Sequence, residues 1–316
     1  MPGSNTVTVQ VEGQRLRLSN LEKVLYPEIG FTKGAVIDYY ARVAPVLLPH
    51  VADRPLTLRR YPEGVEADSF FEKDVSRHAP SWVRTVRVPT PGSAKGAEAA
   101  DFALVNDVPT LVWVANLASL ELHVPQWTVG PRGGVRDPDL LVFDLDPGAP
   151  ATVVECCRVA ERLREVVAAD GLAAFPKTSG SKGLQVYVPV SVPAAERTSD
   201  YARVVAELLA RQTPKQVVAT MSKQARHGKV FVDWSQNNPK KTTVAPYSLR
   251  ARSRPTVSTP VAWEEVEACA RAEDVVFTAG QVLERVERDG DLFEGLLGDE
   301  HRRALPDQPA AAGTRR

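Results

Sequence analysis

Two hydrophobic periods alternate along this chain, and the switches between them predict its elements. Residues 7–11 and 15–18 read as the arms of a short hairpin around Glu12-Gly13. Thr32 is a natural N-cap for a helix over 35–48. Residues 56–60 form a strand, 92–100 a small-residue surface loop, and 110–120 an apolar segment with helical spacing. A second helix spans 152–168. Strands over 173–177 and 184–190 flank the turn Thr178-Ser-Gly-Ser-Lys-Gly. A helix over 199–211, a strand over 230–234 and helices over 263–271 and 278–288 follow. No internal repeat is visible. Residues 1–304 are expected to form a single domain, and the Pro- and Ala-rich tail, 305–316, to be disordered.

One predicted strand is unusual. In LLVFDLDPG, residues 140–148, an apolar run leads into Asp144, Leu145 and Asp146 and stops at Pro147-Gly148. Residues i and i+2 of a strand share a face, about 7 Å apart. Two carboxylates at that distance repel by roughly 1–2 kcal/mol at an intermediate dielectric. Two readings stand: a strand end whose acids are solvated or cap the next helix, and a divalent-metal site, since Mg²⁺ and Mn²⁺ take oxygen ligands.

Composition narrows the class. The 316 residues are 43% hydrophobic and 25% charged, ordinary for a globular protein with a sizeable core. No apolar run approaches the ~20 residues of a membrane span, and the first ten residues, MPGSNTVTVQ, do not read as a signal peptide, so a cytoplasmic location, associated with the nucleoid, is expected. Cys156, Cys157 and Cys269 have neither zinc-site nor disulfide spacing, so no zinc is expected, and the adjacent pair reads as helix core. With 39 basic and 39 acidic residues the chain does not coat nucleic acid indiscriminately. Basic clusters at Arg59-Arg60, Lys177 and Lys182, 215–229, Lys240-Lys241 and 250–254 still allow a local basic cleft.

Further chemistry collects around the aspartates. VFVDWSQN, residues 230–237, is a second acid-bearing strand, and Asp233 completes a carboxylate trio with Asp144 and Asp146. Two ions ~3.5–4 Å apart in such a trio clamp the attacking and leaving oxygens of a phosphoryl transfer. Between the strands, KTSGSKGLQVYV offers backbone N–H groups and the donors Ser179, Ser181 and Lys182 to an anion. It lacks the GK[ST] ending of a Walker A loop, and a Gly-Ser-Lys loop alone equally suits a hairpin turn.

These motifs, with LSNLEKVLYP, ELHVPQW and TTVAPYSLRAR, resemble the polymerase domain of bacterial ligase D, a member of the archaeo-eukaryotic primase superfamily. The resemblance runs in order from about residue 18 to 290 and omits the ligase and nuclease modules, so it is similar to stand-alone mycobacterial Prim-PolC and ligase D-like polymerases. It implies an α+β fold with a primase-type core of mixed and antiparallel sheets flanked by helices. It also implies a monomeric, metal-dependent, template-directed nucleotidyltransferase that fills short DNA gaps during repair and prefers ribonucleotides.

The same resemblance assigns residues. Asp144, Asp146 and Asp233 fall on its ligands for two Mn²⁺ or Mg²⁺ ions. Ser179 and Lys182 fall in the nucleotide-binding loop, and Arg60, His123, Gln185, Arg226, Gln236 and Arg250 in the nucleotide-binding set. Holding about four negative charges on a triphosphate requires several preorganised cations. Phe70 and Phe71 match aromatics that stack on a base. Asn20, Lys23 and Lys33 fall in the DNA-binding set, the two lysines where the 5′-phosphate across a gap is received. Implied partners are gapped or primer–template DNA, NTP or dNTP, a DNA ligase and Ku, without a membrane. By residue type alone, Phe70 and Phe71 read as core, Lys23 and Lys33 as surface, and His123 as a structural histidine. One position departs: the family's SGSKGLH has Gln185 in place of its histidine, and glutamine can donate and accept but cannot become cationic. On that position rests a rival reading, a non-catalytic gap- or end-binding scaffold; a primer-independent primase is the other.

Overall fold

The computed structural model describes residues 5–90 and 98–310. Residues 92–97 of the expected surface loop and 311–316 of the expected tail lie outside the described residues. The chain divides into two compact units, each assembled from three segments.

The first unit comprises Met1–Val135, Val244–Val257 and Phe277–Gly290. Its hairpin, Thr6–Val11 with Gln14–Ser19, turns at Glu12 and Gly13, both at positive φ, as a tight two-residue hairpin turn requires. The Thr32 hydroxyl accepts from the Ala35 amide and starts the helix Lys33–Val51. Antiparallel strands Thr85–Pro89, Ala99–Leu104, Pro55–Arg60 and Ser119–Val124 are neighbours in that order, and the short strand Phe70–Glu72 also pairs with Pro55–Arg60. Tyr39, Tyr40 and Leu47 of the helix are fully buried with Leu56, Leu58, Leu120 and Leu122 of the sheet. Burying these chains is the dominant stabilising term.

The second unit comprises Arg136–Thr243, Ser258–Val276 and Asp291–Arg316. Its sheet runs Phe175–Thr178, Leu184–Ser191, Leu140–Pro147, Val230–Asp233 and Val217–Val218. The last strand is parallel to its neighbour and the others pair antiparallel. The short strand Arg303–Ala304 adds a parallel pairing to Leu184–Ser191. Helices Val153–Ala168 and Glu196–Gln212 pack against the sheet. A reciprocal capping box of Thr152 and Glu155 opens the first of them. Cys156 and Cys157 are buried in it, as the sequence implies.

Two predicted elements end early. The helix expected over 110–120 spans Val108–Asn116, because Ala118 takes a left-handed φ of 56° and the chain leaves as the strand Ser119–Val124. The helix expected to 271 is only Trp263–Ala268. The end of the expected 92–100 loop already belongs to the strand Ala99–Leu104.

Two glycines permit close backbone crossings beside the acid-bearing strand. A Cβ on Gly183 would stand 2.1 Å from the Leu145 carbonyl oxygen, and one on Gly148 would stand 1.9 Å from that of Arg226. Gly183→Ala and Gly148→Ala are each expected to destabilise the protein by about 2 kcal/mol or more, since backbone must move. Gly280, in the helix Ala279–Asp289, has nothing among the described residues within 4 Å of such a Cβ. Gly280→Ala should gain up to about 1 kcal/mol. Urea unfolding of the three variants tests the ranking.

Candidate active site

In the second unit, strand register builds one row of side chains. Lys177 pairs with Gln185, Gln185 with Asp144, and Asp144 with Asp233, across four adjacent strands. Directly opposed residues of antiparallel strands project to the same face. Asp146, two residues along, shares that face, while Leu145 points to the other and is fully buried. The sheet therefore brings the predicted carboxylate trio together.

Each acid has different neighbours. Asp144 is half-buried, and its Oδ1 accepts from Gln185 Nε2 at 3.1 Å. Burial and the charges of Asp146 and Asp233 push its carboxyl up to about 7; the Gln185 hydrogen bond and the Lys177 charge oppose this only in part. Asp146 is exposed. Asp233 is 8% exposed; its Oδ1 accepts from the Ser235 amide at 3.0 Å and its Oδ2 from Gln236 Nε2 at 3.0 Å. Gln185 and Gln236, both expected at the nucleotide, thus each donate to one of the aspartates.

The glycine loop is a closed turn. The Ser179 amide donates to the Gly183 carbonyl, and Ser179 Oγ accepts from the amides of Ser181 and Gly183. Lys182 at its tip is exposed. Arg226 lies on the same face as the acids: its guanidinium stacks 3.6 Å from the ring of Phe231, the register partner of Asp146. Arg226 Nη2 donates to the Met221 carbonyl, while its buried Nε has no hydrogen-bond partner among the described residues.

Among the described residues no three His, Cys, Asp or Glu side chains close into a ligand cluster. The donor set nevertheless fits a hard divalent cation: all oxygen, three carboxylates from two adjacent strands, and one of them pushed up to about 7 by burial and by its neighbours' charge.

In the first unit a second set converges on Glu121. Its side chain is 2% exposed. Oε2 meets His123 Nε2 at 3.0 Å and Arg59 Nη1 at 3.4 Å; Oε1 accepts from the Ala251 amide at 3.1 Å and pairs with Arg250 Nε at 3.3 Å. Burial pushes this carboxyl up, but the His123 hydrogen bond, the Arg250 and His123 charges and the Ala251 amide outweigh it and bring it down to about 2. His123 is pushed down, chiefly by burial and against the pull of Glu121.

The aromatics stand beside this set. Phe70 and Phe71 are 44% and 51% exposed, not core as residue type alone implies, because they occupy a three-residue strand at the sheet's rim. Arg59 lies 5.3 Å from the Phe71 ring centre, and His123 meets that ring edge-on at 5.6 Å. Arg60 lies 5.2 Å from the Phe70 ring centre and is anchored by Glu72 and the Leu117 carbonyl.

Asn20, Lys23 and Lys33 are neighbours. The Lys23 amide donates to the Asn20 carbonyl, and the Lys33 amide to the Lys23 carbonyl. Asn20 is exposed and at φ 55°. Lys23 Nζ pairs with Glu63 at 2.7 Å. Lys33 is buried, not surface, and donates to the Ser19 carbonyl at 2.7 Å. Burial, with the charges of Lys23 and Arg60, brings its ammonium down to about 8.

The sequence reading missed Glu121, Arg59 and Lys177 as parts of these clusters. Lys177 is fully buried, donates to Ser258 Oγ and lies 5.4 Å from the Tyr187 ring centre. Period-two alternation carried the signal: Glu121 shares a face with His123, and Lys177 falls in line with the strand before the glycine loop.

With this geometry in place, comparison with known proteins defines the class. Residues 32–293 match the family model described as LigD, primase-polymerase domain, so the chain belongs to that family. Its members are nucleotidyltransferases of DNA repair, and this chain is an enzyme of that class. Among curated relatives, the multifunctional non-homologous end joining protein LigD of Mycolicibacterium smegmatis is 44% identical over 289 residues, 90% of this chain and 36% of the relative. The bifunctional non-homologous end joining protein LigD of Bacillus subtilis is 31% identical over 281 residues, 88% of this chain and 44% of the relative. The chain thus spans less than half the length of either. The solved polymerase domain from Mycobacterium tuberculosis ligase D in complex with DNA is similar at a TM-score of 0.84 and 42% identity, covering 93% of this chain and all of that one. The α+β fold with antiparallel-dominated sheets is the one expected.

The raised Asp144 carboxyl has a thermodynamic signature. A carboxyl whose folded value, about 7, lies above its ordinary 3.8 binds its proton more tightly in the native state. Stability of the metal-free protein therefore falls as pH rises from about 4 to about 7. Asp144→Asn removes that loss. In EDTA it should melt about 2–4 °C above wild type at pH 8, with the two nearly equal near pH 4. Thermal unfolding at both pH values checks this; a lower melting point for the variant at pH 8 contradicts the assignment.

Proposed function

We propose that this chain is a metal-dependent, template-directed polymerase that fills short gaps in DNA and prefers ribonucleotides. The observation that carries the reading is the carboxylate set itself: Asp144, Asp146 and Asp233 on one face of one sheet, in mutual repulsion, as a phosphoryl-transfer site requires. These three would hold Mn²⁺ or Mg²⁺, which would supply charge stabilisation to the phosphoryl transfer. Around them, Ser179 and Lys182 of the closed turn bind the triphosphate, and Arg226, held flat on Phe231, presents its charge on the acid-bearing face. Gln236 and Gln185 orient Asp233 and Asp144 through their hydrogen bonds. In the first unit, Arg60, His123 and Arg250 serve the nucleotide, and the exposed Phe70 and Phe71 offer faces on which a base can stack. Asn20, Lys23 and Lys33 take the DNA, the two lysines binding the 5′-phosphate across the gap. The relatives' names motivate end joining as the pathway, with a ligase and Ku as partners.

Extension of a gapped template, with ribo- and deoxynucleotides, with Mn²⁺, Mg²⁺ or neither, tests the reading. Asp144→Ala and Asp146→Ala are expected to bring extension below a few per cent of wild type while gapped DNA is still bound. Wild-type protein that binds gaps without extending them would instead make the chain a scaffold, and product from primer-free template would make it a primase.

The lysine pair gives a pH test. Lys33 is charged at pH 7 and neutral well above 8. Affinity for a 5′-phosphorylated gap should fall about five- to tenfold between pH 7 and 9, because the phosphate favours the charged form. Affinity for a non-phosphorylated gap should stay level. Neutralising both, Lys23→Gln with Lys33→Gln, should erase the preference for phosphate and flatten the salt slope by roughly two. Fluorescence anisotropy reads both; equal losses on the two substrates would refute the 5′-phosphate contact.

A further inference from the structure

Glu121 is a buried carboxylate that neither the motif assignments nor the comparisons endow with a role. It touches three cationic or ring side chains from three strands: Arg59 of Pro55–Arg60, His123 of its own strand, and Arg250 of Leu249–Ala251. Both its oxygens are engaged, and the Ala251 amide fixes the strand that carries Arg250. Arg59 and His123 in turn flank the exposed Phe71 ring, one over its face and one at its edge. Register explains the assembly: Phe71, Arg59 and Glu121 oppose one another across three strands and therefore share a face.

We infer that Glu121 is a positioning residue for the nucleotide: one buried anion that sets the orientation of Arg59, His123 and Arg250 together and, through Arg59 and His123, the pose of Phe71. This rests on the proposed reading that His123 and Arg250 contact the incoming nucleotide. An ionised carboxylate only accepts hydrogen bonds, so His123 Nε2 must donate to it. Neutral His123 is thereby fixed as the Nε2–H tautomer, and its Nδ1 is left as an acceptor toward the substrate. Without Glu121, the two guanidiniums would keep their charge, but they and the His123 ring would lose their common reference. The loss belongs in nucleotide binding, and the gap-binding lysines should not notice it.

Two measurements decide. In ¹⁵N-histidine spectra at pH 7, with His123→Gln assigning the signal, His123 of the wild-type protein should show the Nε2–H tautomer; the Nδ1–H tautomer would overturn the inference and needs no variant at position 121. In gap-filling kinetics, Glu121→Gln, which keeps the shape and removes the charge, should raise KM for nucleotide about tenfold with kcat changed much less. Its affinity for 5′-phosphorylated gaps should match wild type. Arg250→Ala and His123→Ala should each raise KM in the wild-type background and cost clearly less in the Glu121→Gln background. If they raise KM and Glu121→Gln does not, or if the effects simply add, the positioning role is overturned while the nucleotide reading stands. If none of the three raises KM although extension proceeds, the nucleotide assignment of His123 and Arg250 has failed, and the inference falls with it.

Discussion

Repulsion among Asp144, Asp146 and Asp233 is the constraint on which the second unit's site depends. Strand register forces it: the pairing that buries Leu141, Phe143 and Leu145 on one side also aligns Asp144 with Asp233 on the other. Slipping one strand by a residue would separate the acids and would also turn the apolar set outward. The core thus holds the charges together against their own repulsion. The neighbours answer that repulsion incompletely. Gln185 donates to Asp144, Gln236 and Ser235 to Asp233, and Lys177 stands two strands away in the same row. The carboxyl of Asp144 stays near 7, a state that a divalent cation would reverse.

Gln185 takes its meaning from this row. A histidine there would place a titrating ring against Asp144, whereas glutamine supplies a neutral donor at every pH. Its Nε2 contact directs the departure from the family motif to the carboxylate, and Tyr187, whose hydroxyl lies 3.5 Å from Gln185 Oε1 and 2.8 Å from Thr243 Oγ1, fills the space beside it. The rival scaffold reading required Gln185 to weaken the site through a lost charge on the triphosphate. The contact observed is a hydrogen bond to Asp144.

What could be read from the sequence was local or periodic. Thr32 marks its helix start because a cap acts within three residues. The acids of LVFDLDPG share a face because strand alternation is fixed at two. The stretch 108–124 was misread because it is apolar nearly throughout, and periodicity cannot separate buried helix from buried strand there. Only the left-handed Ala118 marks the break, and no residue type announces it. Lys33 and Phe71 reversed their expected exposure: the lysine lies buried at a helix start with its ammonium on Ser19, and a short rim strand leaves the ring uncovered. Glu121 could not have been found alone. Arg59 lies 62 residues before it and Ala251 130 after it, so its partners exist only once the chain has returned.

Glu121 and Asp144 show how environment, not residue type, sets a carboxylate's task. Both sit on strands, and burial pushes both toward the protonated form. Glu121 has an imidazole, two guanidiniums and an amide around its oxygens, so it falls to about 2 and stays an anion at any working pH. A settled anion is suited to holding other groups still, and it has no capacity left for a further cation. Asp144 has two acids, one amide donor and one more distant lysine, so it rises to about 7 and carries unmet demand for positive charge. A bound divalent cation would meet that demand. The same carboxyl chemistry thus leaves one residue a settled anion and the other short of positive charge, and the difference follows from how many cations stand around each.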